Sequence, residues 1–490
     1  FHHWFGDLVT AESWSNLTVN ESFADFSETL WNEYKYGKDA GDATNYNGMQ
    51  AYLNNPDNYT KDLVRFHYAD KEDMFDAVSY SKGGTILNML RNYLGDSAFF
   101  NGLNVYLTTN RFKAAEAHQL RLALEQVSGR DLNWFFNQWY FGAGHPKLDI
   151  SYQYDDAAGK VKVILQQTQE SGQTFQLPMA IDVYENGKKT RYRVTLENKL
   201  DSFVFNYKKR PDLVNVDADK VITSERNDSK TMEQYAFQYK EAGNYVDRRE
   251  AIEFAAGQQN NVVALDILRT ALRDKYHGLR QLTLEKLDMK NAVVRTAMEK
   301  TITDLAGNDP KAVVKAKAIE LLGEYQKPEY LAIFQKGVKD SSYSVAGASL
   351  QALSVLDKDA ALAICKQLIG QPLKAKLIGP VATIAAINGL DDALPAVLNS
   401  FKGMGISQEK LDLLQPVAIL LARSKDVAAV KNGVDEIVTF RDGIPKAYQA
   451  QLAPFINDMV LQGIMNAKMK DGSKELADYI KAKKESAKGF

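Results

Sequence analysis

The hydrophobic period of this chain changes twice, and that alone restricts the folds open to it. Up to about residue 145 the apolar positions recur at helical spacing, from about 147 to 224 they alternate with a period of two, and after about 230 they return to helical spacing. A segment written with one period cannot bury its apolar face in the other secondary structure. In the first stretch, Ser81 to Leu94 places Ile86, Leu87, Met89, Leu90 and Leu94 on one helical face, and Gly95 supplies a stop. A second helix is expected from Ala114 to Val127, ending at Ser128-Gly129, and a third carries Trp134, Phe135 and Trp139. In the middle stretch Leu148–Tyr152, Val161–Gln169, Arg191–Leu196 and Leu213–Asp217 read as strands. Turn signals stand at Ala158-Gly159 and Glu185-Asn186-Gly187. They predict a small antiparallel β-sandwich of six to eight strands.

The last stretch repeats. Counting from Asp274, Asp309 and Asp340, an apolar residue returns five, ten and thirteen positions later: Leu279, Leu284, Leu287; Val314, Ile319, Leu322; Val345, Leu350, Leu353. Intervals of 35 and 31 residues fit stacked helical hairpins, each hiding a face against its neighbour. A HEAT-like solenoid is therefore expected, with an ordinary helical bundle as the alternative that alanine-rich helices can imitate. With roughly 100 to 200 residues per domain, the 490 residues divide into three parts, 1–145, 146–225 and 226–490.

Composition excludes several classes. The chain holds 60 basic and 62 acidic side chains, and is 45% apolar and 25% charged. That balance is ordinary for a globular protein and gives no nucleic-acid or membrane surface. No stretch approaches the roughly 18 consecutive apolar residues of a membrane span. The single cysteine, Cys365, sits in an apolar helical run and rules out an intrachain disulfide. The sequence opens without methionine in the middle of an amphipathic pattern, so it reads as part of a longer protein whose targeting information lies upstream. The compartment stays open, with the Asn, Tyr and Lys usage leaning toward an exported bacterial protein.

All five tryptophans and five of six histidines precede residue 146, which concentrates the chemistry there. His2 begins the run His2-His3-Trp4-Phe5-Gly6-Asp7-Leu8-Val9-Thr10, and Glu21 follows 19 positions later in Asn20-Glu21-Ser22-Phe23-Ala24. Catalytic zinc takes three protein ligands and leaves a fourth position to water. A His-Glu-x-x-His helix supplies two of them one turn apart, and a carboxylate from the next helix supplies the third.

These runs resemble the aminopeptidase N family of gluzincins, whose zinc helix reads His-Glu-x-x-His-Gln-Trp-Phe-Gly-Asn/Asp-Leu-Val-Thr and is followed by Trp-x-Asp/Asn-Leu-Trp-Leu-Asn-Glu-Gly-Phe-Ala. The resemblance implies that His2 is the second zinc histidine and Glu21 the carboxylate ligand, on two successive helical segments, in a thermolysin-like helical lobe. His3 replaces the usual Gln, and Ser22 the usual Gly. The family's first zinc histidine and general-base glutamate would stand just ahead of Phe1, so two ligands of three are expected here. Glu28, two turns beyond Glu21, matches a glutamate that would receive the free ring N–H of a zinc histidine. Phe75-Asp76-Ala77-Val78-Ser79-Tyr80-Ser81-Lys82-Gly83 meets the family pattern Phe-Asp-x-x-x-Tyr-x-Lys-Gly. Tyr80 is thereby implied as the hydroxyl that steadies the tetrahedral intermediate, while Lys82 and Gly83 serve the turn.

His67 and His118 have no such context and read as structural. His145, in Gly144-His145-Pro146, reads as the corner where the helical lobe gives way to the β-region. Asn16-Leu17-Thr18 and Asn58-Tyr59-Thr60 match the glycosylation sequon. The resemblance implies a zinc aminopeptidase that removes N-terminal residues from peptides, with Zn2+ as cofactor, a peptide as substrate and the missing N-terminal portion of the same protein as partner. The segment that recognises the substrate's free amine, Gly-x-Met-Glu-Asn in the family, is also upstream, and the helical domain would cap the active-site cavity. A catalytically inactive relative, acting as a protein-interaction scaffold, is the alternative.

Overall fold

Helices form where the apolar stripe is widest. In this computed structural model, which describes residues 1–369, 371 and 373–486, helix α1 (Thr18–Tyr36) turns Val19, Phe23 and Phe26 inward at positions one helical turn apart. Phe5 stacks on Phe23 at 3.9 Å between ring centroids, and Phe26 meets Phe99 edge-on at 5.8 Å. Helices α2 (Lys38–Leu53), α3 (Gly83–Leu94), α4 (Asp96–Thr109), α5 (Ala117–Ser128) and α6 (Asn133–Trp139) complete the first stretch. Two expectations need correction. The helix foreseen from Ala114 starts at Ala117, because β2 (Lys113–Ala115) pairs in parallel with β1 (Val9–Ala11) and its backbone is committed to that ladder. His2 lies in turns rather than in a helix: Phe5 N–H bonds Phe1 O, but Asp7, Leu8 and Val9 reach back five residues, to His2, His3 and Trp4. Those five-residue bonds close wide turns in place of the four-residue ladder of an α-helix.

The middle stretch forms two sheets. One is four-stranded, in the order β7 (Leu200–Asn206), β4 (Lys160–Gln167), β3 (Lys147–Asp155), β9 (Glu225–Asp228). The other is three-stranded, in the order β6 (Lys188–Leu196), β5 (Leu177–Glu185), β8 (Leu213–Val216). The β5–β6 hairpin turns at Asn186-Gly187, with φ of 50° and 71°, the left-handed pair that a tight hairpin requires. The sheets are not wholly antiparallel as expected. β3 and β9 run parallel, which is open to them because the intervening strands supply the long crossover that parallel pairing needs. Leu148, Val163 and Leu165 from one sheet and Leu177, Ile181 and Val216 from the other belong to the same buried cluster as Phe23 and Trp139.

The chain divides into two compact units, Phe1–Ala271 and Leu272–Phe490. Helices α7 (Met232–Glu241), α8 (Tyr245–Ala256) and α9 (Val262–Ala271) therefore pack with the first unit. A buried ionic cluster shows why. Lys220 lies 3.4 Å from Asp247 and 3.0 Å from Glu250 of α8, Arg226 of β9 lies 3.1 Å from Asp217, and Arg248 reaches Asp39 of α2 at 2.9 Å. Burial would depress the Lys220 ammonium, but the Glu250 and Asp247 charges outweigh it and hold the group protonated.

In the second unit the repeat noted in the sequence takes physical form. Asp274, Asp309 and Asp340 each accept the backbone N–H two residues on, at 2.8, 2.8 and 2.9 Å, just ahead of helices α10 (His277–Lys286), α12 (Ala312–Gly323) and, one helix later, α14 (Tyr343–Leu356). Between them run α11 (Ala292–Asn308) and α13 (Leu331–Gly337). All nine repeated apolar residues are buried. Arg280 ties two repeats together by donating to both Asp309 oxygens, at 2.7 and 2.9 Å, and to the Asp274 carbonyl at 2.8 Å. Cys365 is buried, and burial pushes its thiol up to about 11, as expected of an inert core residue. No described helix is long and apolar enough to cross a membrane.

The ionic cluster carries a prediction. Lys220→Met leaves the buried Asp247 carboxylate without its ammonium partner and lowers stability by about 3–5 kcal/mol in urea unfolding. Arg210→Met, which breaks an exposed pair with Asp156, changes it by less than about 1 kcal/mol.

Candidate metal centre

Glu21 occupies the first turn of α1, where the helix N-terminus favours a negative charge. Its side chain is 12% exposed, whereas that of His2 is 65% exposed. Glu21 Oε2 is buried and has no hydrogen-bond partner among the described residues, and His2 Nε2 stands 4.0 Å from it. Two ligands on one tetrahedral zinc, at the usual bond lengths, stand about 3.4 Å apart. A small swing of the exposed imidazole therefore brings both onto one ion. The donor chemistry fits zinc: an imidazole nitrogen and an unpaired carboxylate oxygen, turned toward each other. Among the described residues no third His, Cys, Asp or Glu joins them.

Tyr80 stands near enough to Glu21 to feel its charge. Burial first, then the charge of the Glu21 carboxylate, push its phenol up to about 12. It is thus a protonated donor at neutral pH. The hydroxyl is presented by a wide, π-type turn, Val78–Lys82, leading into α3. That turn docks on α1 at very short range. A Cβ at Gly83 would lie 1.8 Å from Ser22 Oγ, and one at Gly84 would lie 2.2 Å from Asp25 Oδ1. Glycine is required there by space, which gives Gly83 the structural role foreseen for it.

Glu28 is exposed and makes no hydrogen bond or ion pair among the described residues. With Phe1, Ser27, Trp31 and Asn32 it lines an open cleft of about 450 Å³. The structure thus brings His2, Glu21 and Tyr80 together and leaves Glu28 facing open space two turns along the same helix. Lys82 is wholly buried, its Nζ has no hydrogen-bond partner among the described residues, and it lies 5.4 Å from the Tyr52 ring centroid. Of the other histidines, His67 and His118 are exposed, the latter stacked on Phe141. His145 is buried between Tyr52, whose hydroxyl lies 3.1 Å from Nδ1, and Glu225 of β9, whose Oε1 lies 2.9 Å from Nε2. Burial lowers its pKa, so the neutral ring donates from Nε2 to Glu225 and accepts from Tyr52. Both sequon asparagines are buried: Asn16 accepts from Ala117 N–H and Asn58 donates to the Tyr52 carbonyl. Neither is open to glycosylation in the folded chain.

Residues 1–139 match the peptidase family M1 domain. The chain is a relative of the M1 aminopeptidases. Aminopeptidase N of Streptomyces lividans is 34% identical over 149 residues, 29% of this chain and 17% of that protein. Probable aminopeptidase 2 of Sulfurisphaera tokodaii is 27% identical over 232 residues, 44% of this chain and 28% of that one. This M1 relative thus aligns with less than a third of the length of either protein. The fold is similar to that in the crystal structure of Legionella pneumophila aminopeptidase A in complex with aspartic acid, with a TM-score of 0.61, 14% identity, and coverage of 99% of this chain and 65% of that one.

Sequence reasoning passed over the groups that hold the tyrosine turn. Asp76 stood inside the quoted motif without a role, and Arg65 beside His67 drew no notice. An aspartate two and three residues ahead of unpaired backbone N–H groups was the available signal for the first.

Two predictions follow from this geometry. Zinc binding by these 490 residues is weak in equilibrium dialysis, and His2→Ala or Glu21→Ala removes what there is; tight stoichiometric zinc contradicts a two-ligand site. For Lys82, burial is the main cause lowering the folded pKa to about 8 from the 10.5 of a free lysine, against the attraction of Asp62. Between those values the unfolded chain holds the proton and the folded chain does not, so stability rises with pH across the window. Below pH 8 the buried charge costs about 3 kcal/mol. Lys82→Met removes that rise from unfolding curves taken between pH 7 and 11.

Proposed function

We propose that this chain is the C-terminal part of a zinc-dependent aminopeptidase, in which His2 and Glu21 hold the metal and Tyr80 stabilises the oxyanion. The observation that carries the reading is the buried Glu21 oxygen, without a hydrogen-bond partner among the described residues and 4.0 Å from the His2 imidazole, close enough to Tyr80 for its charge to act on that phenol. Zinc bound there supplies Lewis acidity toward a peptide carbonyl and lowers the pKa of water. Tyr80 donates a hydrogen bond to the carbonyl oxygen as negative charge gathers on it, and costs no reorganisation because its turn is already fixed. Glu28 orients a ligand histidine through the ring N–H.

None of the six histidines in these 490 residues is followed by glutamate. In this reading the first zinc histidine and the general base come from another part of the same protein, and the chain by itself is inactive. Exposed aromatic side chains beside His2 and in the Glu28 cleft, Phe1, Trp4 and Trp31, support such a covering segment. We assign the helical lobe to a thermolysin-like catalytic domain, the two sheets to a β-sandwich and the repeats to a HEAT-like solenoid.

The test is reconstitution. Adding a segment that carries the His-Glu pair, with zinc, is expected to yield hydrolysis of an aminoacyl anilide, and Tyr80→Phe to lower kcat by about 10²–10³-fold. A reconstituted complex that binds zinc and cleaves nothing would favour the scaffold alternative.

A further inference from the structure

We propose that Ser22 and Asp76 are positioning residues that lock Tyr80 to Glu21, acting through the backbone of Ser79. The claim rests on the reading of Tyr80 as the oxyanion donor, and its geometry can be followed bond by bond.

Ser79 immediately precedes Tyr80, and three of its polar groups are each held by a different element. Its N–H donates to Asp76 Oδ1 at 3.0 Å, as does that of Val78. Its Oγ accepts from Arg65 Nη2 at 3.0 Å. Its carbonyl accepts from Ser22 Oγ at 2.7 Å. Asp76 is itself clamped. Arg65 donates to both its oxygens, at 2.8 and 3.2 Å, Lys61 donates to Oδ2 at 2.9 Å, and the Asp76 carbonyl takes the Tyr80 N–H at 3.1 Å. Burial alone would raise the Asp76 pKa, but hydrogen bonds from Arg65, Lys61 and the Ser79 backbone outweigh it and keep the carboxylate ionised. A π-type turn lacks the regular ladder of an α-helix, so these side-chain bonds set where the tyrosine points.

Ser22 closes the link to the metal side. It follows Glu21 directly in α1, is buried, and lies 2.6 Å from Thr18 Oγ1, which donates to it while its own proton goes to Ser79. The aminopeptidase N pattern has glycine at this position, and glycine has no hydroxyl to give. Absence of a Cβ at Gly83 leaves the room in which Ser22 Oγ sits. In this chain the residue beside the metal-binding carboxylate and the residue beside the oxyanion donor are joined by one short hydrogen bond, and moving either helix moves both groups.

The test is residue-resolved hydrogen–deuterium exchange on the full chain, which needs neither zinc nor activity. Ser22→Ala and Asp76→Asn are each expected to speed exchange of the Ser79 and Tyr80 amides about tenfold or more, the loss expected from one broken hydrogen bond in a clamped turn. Amides of α4 and α5 should keep their protection. If Asp76→Asn fails to fold, Ser22→Ala alone decides. Unchanged exchange at Ser79 and Tyr80, or faster exchange spread evenly over the unit, overturns the proposal. In the reconstituted complex, Ser22→Ala should lower kcat about tenfold with KM unchanged. Local loosening without hydrolysis in any variant upholds the clamp and rejects only the peptidase reading.

Discussion

A carboxylate oxygen buried without a hydrogen-bond partner costs about 1–3 kcal/mol, and Glu21 keeps one at the start of α1. The surrounding structure is arranged to maintain that oxygen rather than to satisfy it. Val19, Phe23 and Phe26 anchor the helix in the core and fix its rotation, which turns Glu21 toward His2 and Tyr80. Gly83 and Gly84 let the tyrosine turn approach α1 more closely than any side chain would allow. A cation between Glu21 and His2 would remove the penalty, and the geometry leaves the carboxylate oxygen free for one.

The rest of the first unit is built to hold α1 and α2 still. The cluster of Lys220, Arg226, Arg248, Asp39, Asp217, Asp247 and Glu250 joins α2, the end of the β-region and α8. Buried ion pairs contribute little net stability, but they permit one arrangement of the elements that carry them. His145 adds a second tie, between Tyr52 of α2 and Glu225 of β9. A site that needs donor groups fixed within fractions of an ångström gains more from that specificity than from added burial.

Much of this was legible in the sequence, for identifiable reasons. The change of period located every strand in the β-region except β5, β7 and β9, and the aspartates at 274, 309 and 340 marked a repeat whose caps and buried residues recur in the structure. His2, Glu21 and Tyr80 were singled out through the resemblance to the aminopeptidase N motifs; the structure sets His2 4.0 Å from Glu21, whose charge acts on the Tyr80 phenol. Periodicity could not show the parallel strand pair, because pairing direction is set by chain return and not by alternation. It misread Ala114 and Ala115, whose helix preference yields to the ladder with Val9–Ala11. The buried ions and the Arg65–Asp76 clamp join residues far apart in the chain, and no local pattern announces them. Ser22 stands where the family pattern has glycine, and nothing local to that change announces the bond its hydroxyl donates to the Ser79 carbonyl.

Zinc-edge anomalous diffraction on the chain, soaked with zinc together with its completing segment, tests the central idea most directly. One peak within bonding range of both His2 Nε2 and Glu21 Oε2, at about 2.0–2.2 Å, with the Tyr80 hydroxyl facing it, is the predicted result. A peak elsewhere, or one bound to either residue without the other, would contradict the account.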